Sequence, residues 1–168
     1  MCIRDSDQTM LLSALSTIMN AEADIDVVTT ATSGSQAVTA ALSHQIDIAI
    51  MDIRMPGMDG IAAAQAILSR KPDCRIIMLT TFNDEDLVAR SIAAGAHGFL
   101  LKDADPDILL SAVRNVAKGD SVLASEVTGP VLTAYRSALT RDNLTPRQRQ
   151  GLSPVSYTHL TLPTSDLV

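Results

Sequence analysis

Apolar runs and amphipathic stretches alternate along the chain as far as Gly119. Short apolar segments bounded by polar or turn residues are typical of buried strands, whereas apolar residues that recur every three or four positions are typical of helices. The strands predicted in this way are Asp24–Thr30, Ile46–Asp52, Arg75–Thr80 and His97–Lys102. The predicted helices are Thr9–Asn20, Gly34–His44, Ile61–Arg70, Asp84–Ala94 and Pro106–Lys118.

Strands of this kind, separated by helices, predict a parallel sheet covered on both faces. The alternation also requires a strand before the first helix, and only Met1–Ser6 is available for it. We therefore predict an α/β fold, a doubly wound five-stranded parallel sheet with a vestigial first strand. A buried parallel strand should supply about four apolar side chains, but this segment supplies about two, a shortfall of roughly 3–6 kcal/mol. A marginally stable domain is expected, since typical stabilities are ~5–15 kcal/mol.

Composition argues against several classes of function. The net charge is −6 and no basic block is present, which argues against a free-standing nucleic-acid or polyanion binder. Cys2 and Cys74 form neither a disulfide framework nor a metal-binding pattern. No apolar run approaches the ~20 residues that span a bilayer, and no signal-peptide pattern is present. A soluble cytoplasmic protein is therefore expected.

Polar residues end several of the predicted strands. Asp52, Thr80 and Lys102 each close a strand, and Asp7 follows the first segment. The carboxyl ends of parallel strands meet at one edge, where open sheets bind their ligands. Two carboxylates favour a hard cation such as Mg²⁺, and a cation with a lysine can neutralise a phosphoryl group. Asp52 could then attack phosphorus and form an acyl phosphate. Taken singly, each residue has an ordinary role as a cap, turn residue or surface cation, so the hypothesis rests on their joint occurrence.

These residues and their surroundings resemble the receiver domain of bacterial two-component response regulators. The matching motifs are Asp7-Gln8, Asp52 with MPGMDG behind it, Leu79-Thr80-Thr81-Phe82 and Gly98-Phe99-Leu100-Leu101-Lys102-Asp103. The resemblance covers Asp7 to Gly119, and it implies a flavodoxin-like sheet in the strand order 2-1-3-4-5, in which the first strand is central. The segment LTPRQR, which follows a predicted helical linker, resembles the start of the helix-turn-helix output domain of the NarL/LuxR type.

The resemblance implies a role for each matching residue. Asp52 would accept a phosphoryl group from a sensor histidine kinase, and Lys102 would contact that group. Thr80 and Phe99 would form a switch pair. The face built from residues 84–118 would then change and control association into a homodimer. Such a protein is a phosphoacceptor signalling domain rather than an enzyme.

The resemblance also implies bound Mg²⁺. Its ligands would be Asp7, Asp52 and the backbone carbonyl of Arg54. The family usually carries two adjacent acids after its first strand, whereas this chain has Ser6-Asp7 at that place.

The sequence predicts five segments. They are a non-native segment replacing the first strand (1–6), the receiver domain (7–119), a helical linker (120–143), the start of a LuxR-type helix-turn-helix domain (144–150) and a non-native tail (151–168). Both ends, MCIRDS and SPVSYTHLTLPTSDLV, resemble translated adapter or vector sequence. A helix-turn-helix needs about three helices and several cations. No Lys or Arg lies between Gln150 and Val168, so we expect DNA binding only in the full-length parent protein.

Three other functions compete with phosphoacceptance. A receiver-like protein-interaction module without phosphorylation would explain the missing first acid. An Asp-nucleophile phosphatase could use Asp5-Ser6-Asp7, but Asp52-Ile53-Arg54 lacks the second acid that would serve as general acid. A flavin-binding module of the same topology would need a hydroxyl- and glycine-rich phosphate loop, and SDQTM is not one.

Overall fold

The computed structural model describes residues 3–81 and 85–142 of the chain. Side chains are described from Thr9 onwards within these ranges, except that of Glu85 and several in the last helix. The elements in these ranges are α1 (Ile3–Asn20), α2 (Gly34–Ser43), β1 (Ile48–Asp52), α3 (Gly60–Arg70), β2 (Arg75–Thr80), α4 (Glu85–Ala93), β3 (Gly98–Leu101), α5 (Pro106–Lys118), β4 (Val122–Leu123) and α6 (Ser125–Asp142). The chain divides into two compact units, Met1–Val131 and Leu132–Val168. Among the described helices none could cross a membrane.

The four strands form one parallel sheet in the order β1-β2-β3-β4. Asp52 lies opposite Leu79, and Thr80 lies opposite Leu101. The predicted α/β class and its parallel sheet are confirmed. Helices begin and end where capping residues stand: Ser33 and Asp59 cap α2 and α3 with their side chains, and α5 begins at Pro106. Gly119 ends α5 in the left-handed conformation, at a φ of 108°.

The predicted strand Asp24–Thr30 is wrong, and the vestigial first strand does not form in the described part of the chain. Residues 3–6 belong to the first turns of α1, and residues 25–30 have no regular secondary structure. A parallel strand persists only beside a paired neighbour. Because 1–6 carries too few apolar side chains to form a central strand, the segment 24–30 has no partner. Within residues 3–81 and 85–142 the sheet therefore has four strands instead of five, and β1 is an edge strand there.

A short strand that the sequence pattern does not indicate closes the other edge of the sheet. The pattern predicts one helix over Ser121–Ala138, but Val122–Leu123 forms β4 before α6 begins at Ser125. The backbone N–H of Val122 donates to the carbonyl of His97 at 3.2 Å, and that of Ala124 donates to Phe99 at 2.9 Å. Two residues are too few to show a strand period. The residues of the predicted output domain and tail, 144–168, lie outside the described ranges.

Side chains of the sheet alternate between two apolar clusters, one on each face. On one face Ala49 and Met51 of β1 pack with residues of α2 and α3. On the other face Ile48 and Ile50 pack with residues of α1 and α5. Burial on both faces explains why residues 76–79 of the inner strand β2 are all apolar, and it holds the strand ends rigidly.

Arg114 of α5 ties the segment after α1 to this second face. Its guanidinium donates to both carboxylate oxygens of Asp24 at 2.8 and 2.9 Å, and to Glu22 at 2.6 Å. The hydrogen bonds from Arg114 lower the pKa of Asp24. This bidentate contact fixes the segment before residues 25–30, which have no sheet ladder of their own.

Candidate functional site

Asp52 ends β1, and both of its carboxylate oxygens have hydrogen-bond donors. Oδ2 accepts from the ammonium of Lys102 at 2.5 Å, and Oδ1 accepts from the backbone N–H of Arg54 at 3.0 Å. The side chains of Asp52 and Lys102 are 18% and 24% exposed. Partial burial reduces solvent screening of the pair, while the remaining exposure leaves the carboxylate reachable.

The parallel register explains why these two residues meet. Lys102 directly follows β3, and its backbone N–H donates to the carbonyl of Thr80 at 2.9 Å. This bond extends the β2–β3 ladder by one step and places Lys102 at the edge where β1 ends. The structure therefore brings Asp52, Thr80 and Lys102 to the same edge of the sheet, as the strand-end argument expects.

The loop behind Asp52 is closed by its own backbone. The N–H of Gly60 donates to the carbonyl of Ile53 at 2.9 Å, and Gly57 in the turn has a φ of +73°. A Cβ added at Gly60 would lie 2.1 Å from the carbonyl oxygen of Asp52, so this position accepts only glycine without a backbone shift. The close approach fixes residues 53–59 against the end of β1.

Asp59 connects this loop to two helices. Its Oδ1 accepts from the N–H of Ala62 at 2.7 Å and caps α3. Its Oδ2 lies 3.8 Å from the guanidinium of Arg90 on α4, a half-exposed contact that contributes little on its own.

Thr80 and Phe99 lie on neighbouring strands and on the same face of the sheet. Phe99 pairs with Met78, two residues before Thr80, and is 2% exposed in the cluster on the α3 side. Thr80 is 6% exposed, and its hydroxyl donates to the carbonyl of Thr81 at 2.9 Å. Their adjacency suits a coupled pair, but their switch role stays a prediction. Phe82 of the quoted motif lies outside the described residues.

The expectation that Asp7 follows a strand end is wrong. Asp7 lies within helix α1, because the segment before it is helical rather than extended. Its side chain is outside the described part of the structure. Among the side chains that are described, no group of three or more His, Cys, Asp or Glu residues could hold a metal ion. Asp52 and the carbonyl of Arg54 do not by themselves complete a Mg²⁺ site, which requires about six oxygen ligands.

The local sequence pattern does not reveal one contact of the site. The N–H of Arg54 donates to the Asp52 side chain, as in an Asx turn, in which a side chain bonds the backbone two residues on. The only signal for it in the sequence is an Asp followed closely by the Met-Pro-Gly turn. The contact fixes the orientation of Oδ1 of Asp52. The site can then bind a group that carries oxygen atoms of its own.

A comparison of the sequence with known families decides the classification. The family described as the response regulator receiver domain matches residues 3–114. The chain belongs to this family. Receiver domains are typically non-enzymatic signalling modules that bind Mg²⁺ at an acidic site. Response regulators of two-component systems act with histidine kinases and DNA.

The curated relatives of this receiver chain are NarL/LuxR-type regulators. It is 42% identical over 121 residues to the transcriptional regulatory protein DesR of Bacillus subtilis (strain 168), covering 72% of this chain and 60% of that protein. It is 34% identical over 156 residues to the nitrate/nitrite response regulator protein NarL of Escherichia coli (strain K12), covering 89% and 72%. The chain spans about three fifths of the length of relatives such as DesR and LnrK.

Solved structures support the same fold. The signal receiver domain of the putative response regulator NarL from Mycobacterium tuberculosis aligns with a TM-score of 0.64 at 31% identity, covering 67% of this chain and 91% of that one. A LuxR-family two-component response regulator from Aurantimonas sp. SI85-9A1 aligns with a TM-score of 0.70 at 22% identity, covering 76% and 91%. The second likeness concerns the fold alone.

Proposed function

We propose that Asp52 is the phosphoacceptor of this receiver and that a sensor histidine kinase is the donor. The observation that carries the proposal is the 2.5 Å contact between Lys102 and the Asp52 carboxylate at the carboxyl edge of the sheet. The full-length parent protein would regulate transcription through a DNA-binding output domain. Phosphotransfer would take place in the cytoplasm.

The chemistry follows from the two side chains. An Asp52 oxygen attacks the phosphorus of the kinase phosphohistidine, so that an O–P bond forms while the N–P bond breaks and the imidazole nitrogen leaves. Before transfer the Lys102 ammonium pairs with the carboxylate. After transfer it pairs with the phosphoryl oxygens, so its charge always has a partner. The chain acts as a phosphoacceptor and is not assigned a separate enzymatic reaction.

Mg²⁺ is part of the proposal, with Asp7, Asp52 and the carbonyl of Arg54 as its ligands. When bound, the ion would supply positive charge opposite the phosphoryl oxygens. Ser6 stands where the family usually has a further acid, so weaker metal binding than in a site with two adjacent acids is expected.

The response to phosphorylation is assigned to Thr80, Phe99 and the 84–118 face. In this structure the Thr80 hydroxyl donates to a neighbouring carbonyl, and it would exchange that bond for a phosphoryl oxygen. On the same face Ile92 and Ile108 are 39% and 51% exposed, which suits association with a second receiver. Phosphorylation would therefore favour a homodimer.

A receiver-like interaction module without phosphorylation is the second candidate. It is favoured by the placement of Asp7 inside a helix rather than after a strand end. In that case Asp52 and Lys102 would serve only as an ion pair that joins β1 to β3.

The deciding experiment is incubation with acetyl phosphate and Mg²⁺ followed by intact-mass measurement. The wild type is expected to gain the mass of one phosphoryl group, and Asp52→Ala is expected to gain none. Asp47→Asn is the matched control, since Asp47 is an exposed acid at the opposite end of β1. A wild type that stays unmodified would favour the second candidate.

A further inference from the structure

The outer edge of β1 is open in the part of the chain that the structure describes. Just before β1, the backbone carbonyl of Asp47 accepts from the N–H of Arg75 in β2. Successive residues of a strand direct their backbone groups to opposite sides, so Ile48 and Ile50 direct theirs away from β2. No described residue forms a hydrogen bond with the backbone of Ile48 or Ile50 on that side.

A second extended segment borders the same part of the core without a ladder of its own. Side chains alternate strictly between exposed and half-buried from Asp24 to Thr30, which is the period of a strand. Ile25 and Val27 pack into the apolar cluster that contains Ile48 and Ile50. Among the described residues, however, no backbone hydrogen bond joins this segment to β1. Two strand-like segments therefore contribute to one cluster, and neither supplies the other with a ladder.

We propose that the outer edge of β1 binds an extended peptide segment of another polypeptide, apolar at successive positions and flanked by Lys or Arg. The backbone of the edge decides the conformation of this partner. A row of unpaired N–H and C=O groups is matched by the backbone of an added strand, whereas a helix has no backbone groups left to offer it. The inference goes beyond phosphoacceptance and does not depend on it.

The two faces of the sheet decide the side chains of the bound peptide. On one face the peptide would extend the cluster formed with α2 and α3, and on the other the cluster formed with α1 and α5. A parallel strand that is covered on both faces is apolar at successive positions rather than at alternate ones. Since β1 has five residues, a peptide with five apolar residues matches its length.

The charges near the edge decide the flanks of the peptide. Asp26 and Asp47 are exposed acids in and beside the two extended segments, and neither 24–30 nor 46–53 contains a Lys or Arg. The whole chain has a net charge of −6. A peptide with basic flanks is therefore attracted, and one with acidic flanks is repelled, most strongly at low salt.

Titration of the full chain with synthetic peptides tests the proposal. The probe is acetylated Lys-Lys-Val-Ile-Val-Ile-Val-Lys-Lys, and its control carries Pro in place of the central Val, which removes a donor and interrupts the ladder. By isothermal titration calorimetry, we expect the probe to bind with a Kd about tenfold lower than that of the control. Equal affinities would overturn the proposal, because binding would then not use a strand ladder.

A third peptide tests the charge requirement. Replacement of the four lysines of the probe by glutamates is expected to raise the Kd about tenfold at low salt, and less at high salt. A glutamate-flanked peptide that binds as tightly as the probe would overturn the assignment of basic flanks.

Amide hydrogen exchange followed by NMR locates the bound peptide. The saturating probe is expected to slow exchange of the Ile48 and Ile50 amides about tenfold or more and to leave Leu123 unchanged. Leu123 belongs to β4, the other edge of the described sheet, which is too short for a ladder at two residues. Strong protection of Ile48 and Ile50 in the free chain would overturn the proposal, because a second copy or another part of this chain would then already occupy the edge.

A proline substitution in β1 tests the edge from the side of the protein. Ile50→Pro removes an N–H that points away from β2, a position at which an edge strand tolerates proline. We expect it to raise the Kd of the probe about tenfold, whereas Leu123→Pro, the same change at the other edge, leaves the Kd unchanged. Circular dichroism shows whether each variant is folded, and the comparison of peptides on the wild-type chain does not depend on that result. An unchanged Kd in folded Ile50→Pro would overturn the proposal.

Discussion

The ammonium of Lys102 donates to Oδ2 of Asp52 at 2.5 Å, although 50 positions separate the two residues in the sequence. The contact passes over the end of β2, since Asp52 ends β1 and Lys102 follows β3 in the sheet order β1-β2-β3-β4. A fixed cation thus stands beside the carboxylate before any phosphoryl group arrives. This preorganisation avoids the cost of bringing the charge into place during the reaction.

Replacing Lys102 should slow phosphorylation of Asp52. In Lys102→Gln the developing charge on the phosphoryl oxygens loses its fixed cation, and we expect the rate with acetyl phosphate to fall about 100-fold. The measurement is the time course of the intact-mass shift. Lys118→Gln, at the exposed end of α5, is the control and should phosphorylate at the wild-type rate. A Lys102→Gln rate within about twofold of the wild type would show that Lys102 is a structural ion-pair partner only.

Gly60→Ala should destabilise the fold strongly. The added methyl group would meet the backbone carbonyl of Asp52 at 2.1 Å, and a backbone atom at a strand end cannot move aside cheaply. We expect a loss of about 2–4 kcal/mol in the free energy of unfolding by urea. Gly129→Ala, inside α6, meets no atom within 4 Å beyond its chain neighbours and its own helix backbone, so it should cost much less than Gly60→Ala even though Pro130 follows it. Equal effects of the two changes would contradict this account.

His97 should make the stability dependent on pH. Its Nδ1 accepts from the backbone N–H of Ile76 at 3.1 Å, which requires the neutral ring. Burial and, secondarily, the charge of Arg75 lower the pKa of His97 below its ordinary value of 6.5. As pH falls through 6.5, His97 is protonated in the unfolded chain before it is protonated in the folded chain. The free energy of unfolding therefore decreases between pH 6.5 and the lowered pKa of His97, and the decrease ends below that pKa.

The variant His97→Asn isolates this effect. The Asn amide oxygen can accept the same hydrogen bond but does not titrate. The free energy of unfolding, measured by urea at about pH 7.5 and about pH 5.5, should fall less in His97→Asn than in the wild type. Identical falls in the two proteins would mean that other groups carry the pH dependence.

Arg114→Lys should loosen the segment that follows α1. Lysine cannot make the bidentate contact with Asp24 while also reaching Glu22. We expect faster amide hydrogen exchange in residues 25–31 and a lower urea midpoint. Arg90→Lys is the matched control, because Arg90 lies 3.8 Å from Asp59 in a half-exposed pair. If amide exchange in residues 25–31 is unchanged in Arg114→Lys, the contacts of Arg114 with Asp24 and Glu22 do not hold the segment.

The chain as a whole should be marginally stable. Among the described residues no strand pairs with the outer side of β1, and β1 is left at the edge with Ile48 and Ile50 only partly buried. We expect the chain to melt cooperatively below about 60 °C, as measured by circular dichroism. Melting well above that temperature would show that α1 and the segment after it replace the missing strand in full.

Local pattern alone was sufficient for most elements and for the strand ends that carry Asp52, Thr80 and Lys102. The helical period of Pro106–Lys118 and the apolar runs that end at Asp52, Thr80 and Lys102 are properties of neighbouring residues, so they can be recognised without coordinates. The strand-end rule then places Asp52 and Lys102 at one edge, because parallel strands share their direction.

Only the tertiary structure decided which strands exist and which side chains touch. Asp24–Thr30 has a strand-like composition but no neighbour, and a ladder needs a partner that local sequence cannot supply. The two residues of β4 form a strand because β3 pairs with them. The hydrogen bond of Lys102 to Asp52 depends on sheet register, which arises only when distant parts of the chain pack together. The bond of Arg54 to Asp52 is local, but it depends on the conformation of the turn after β1.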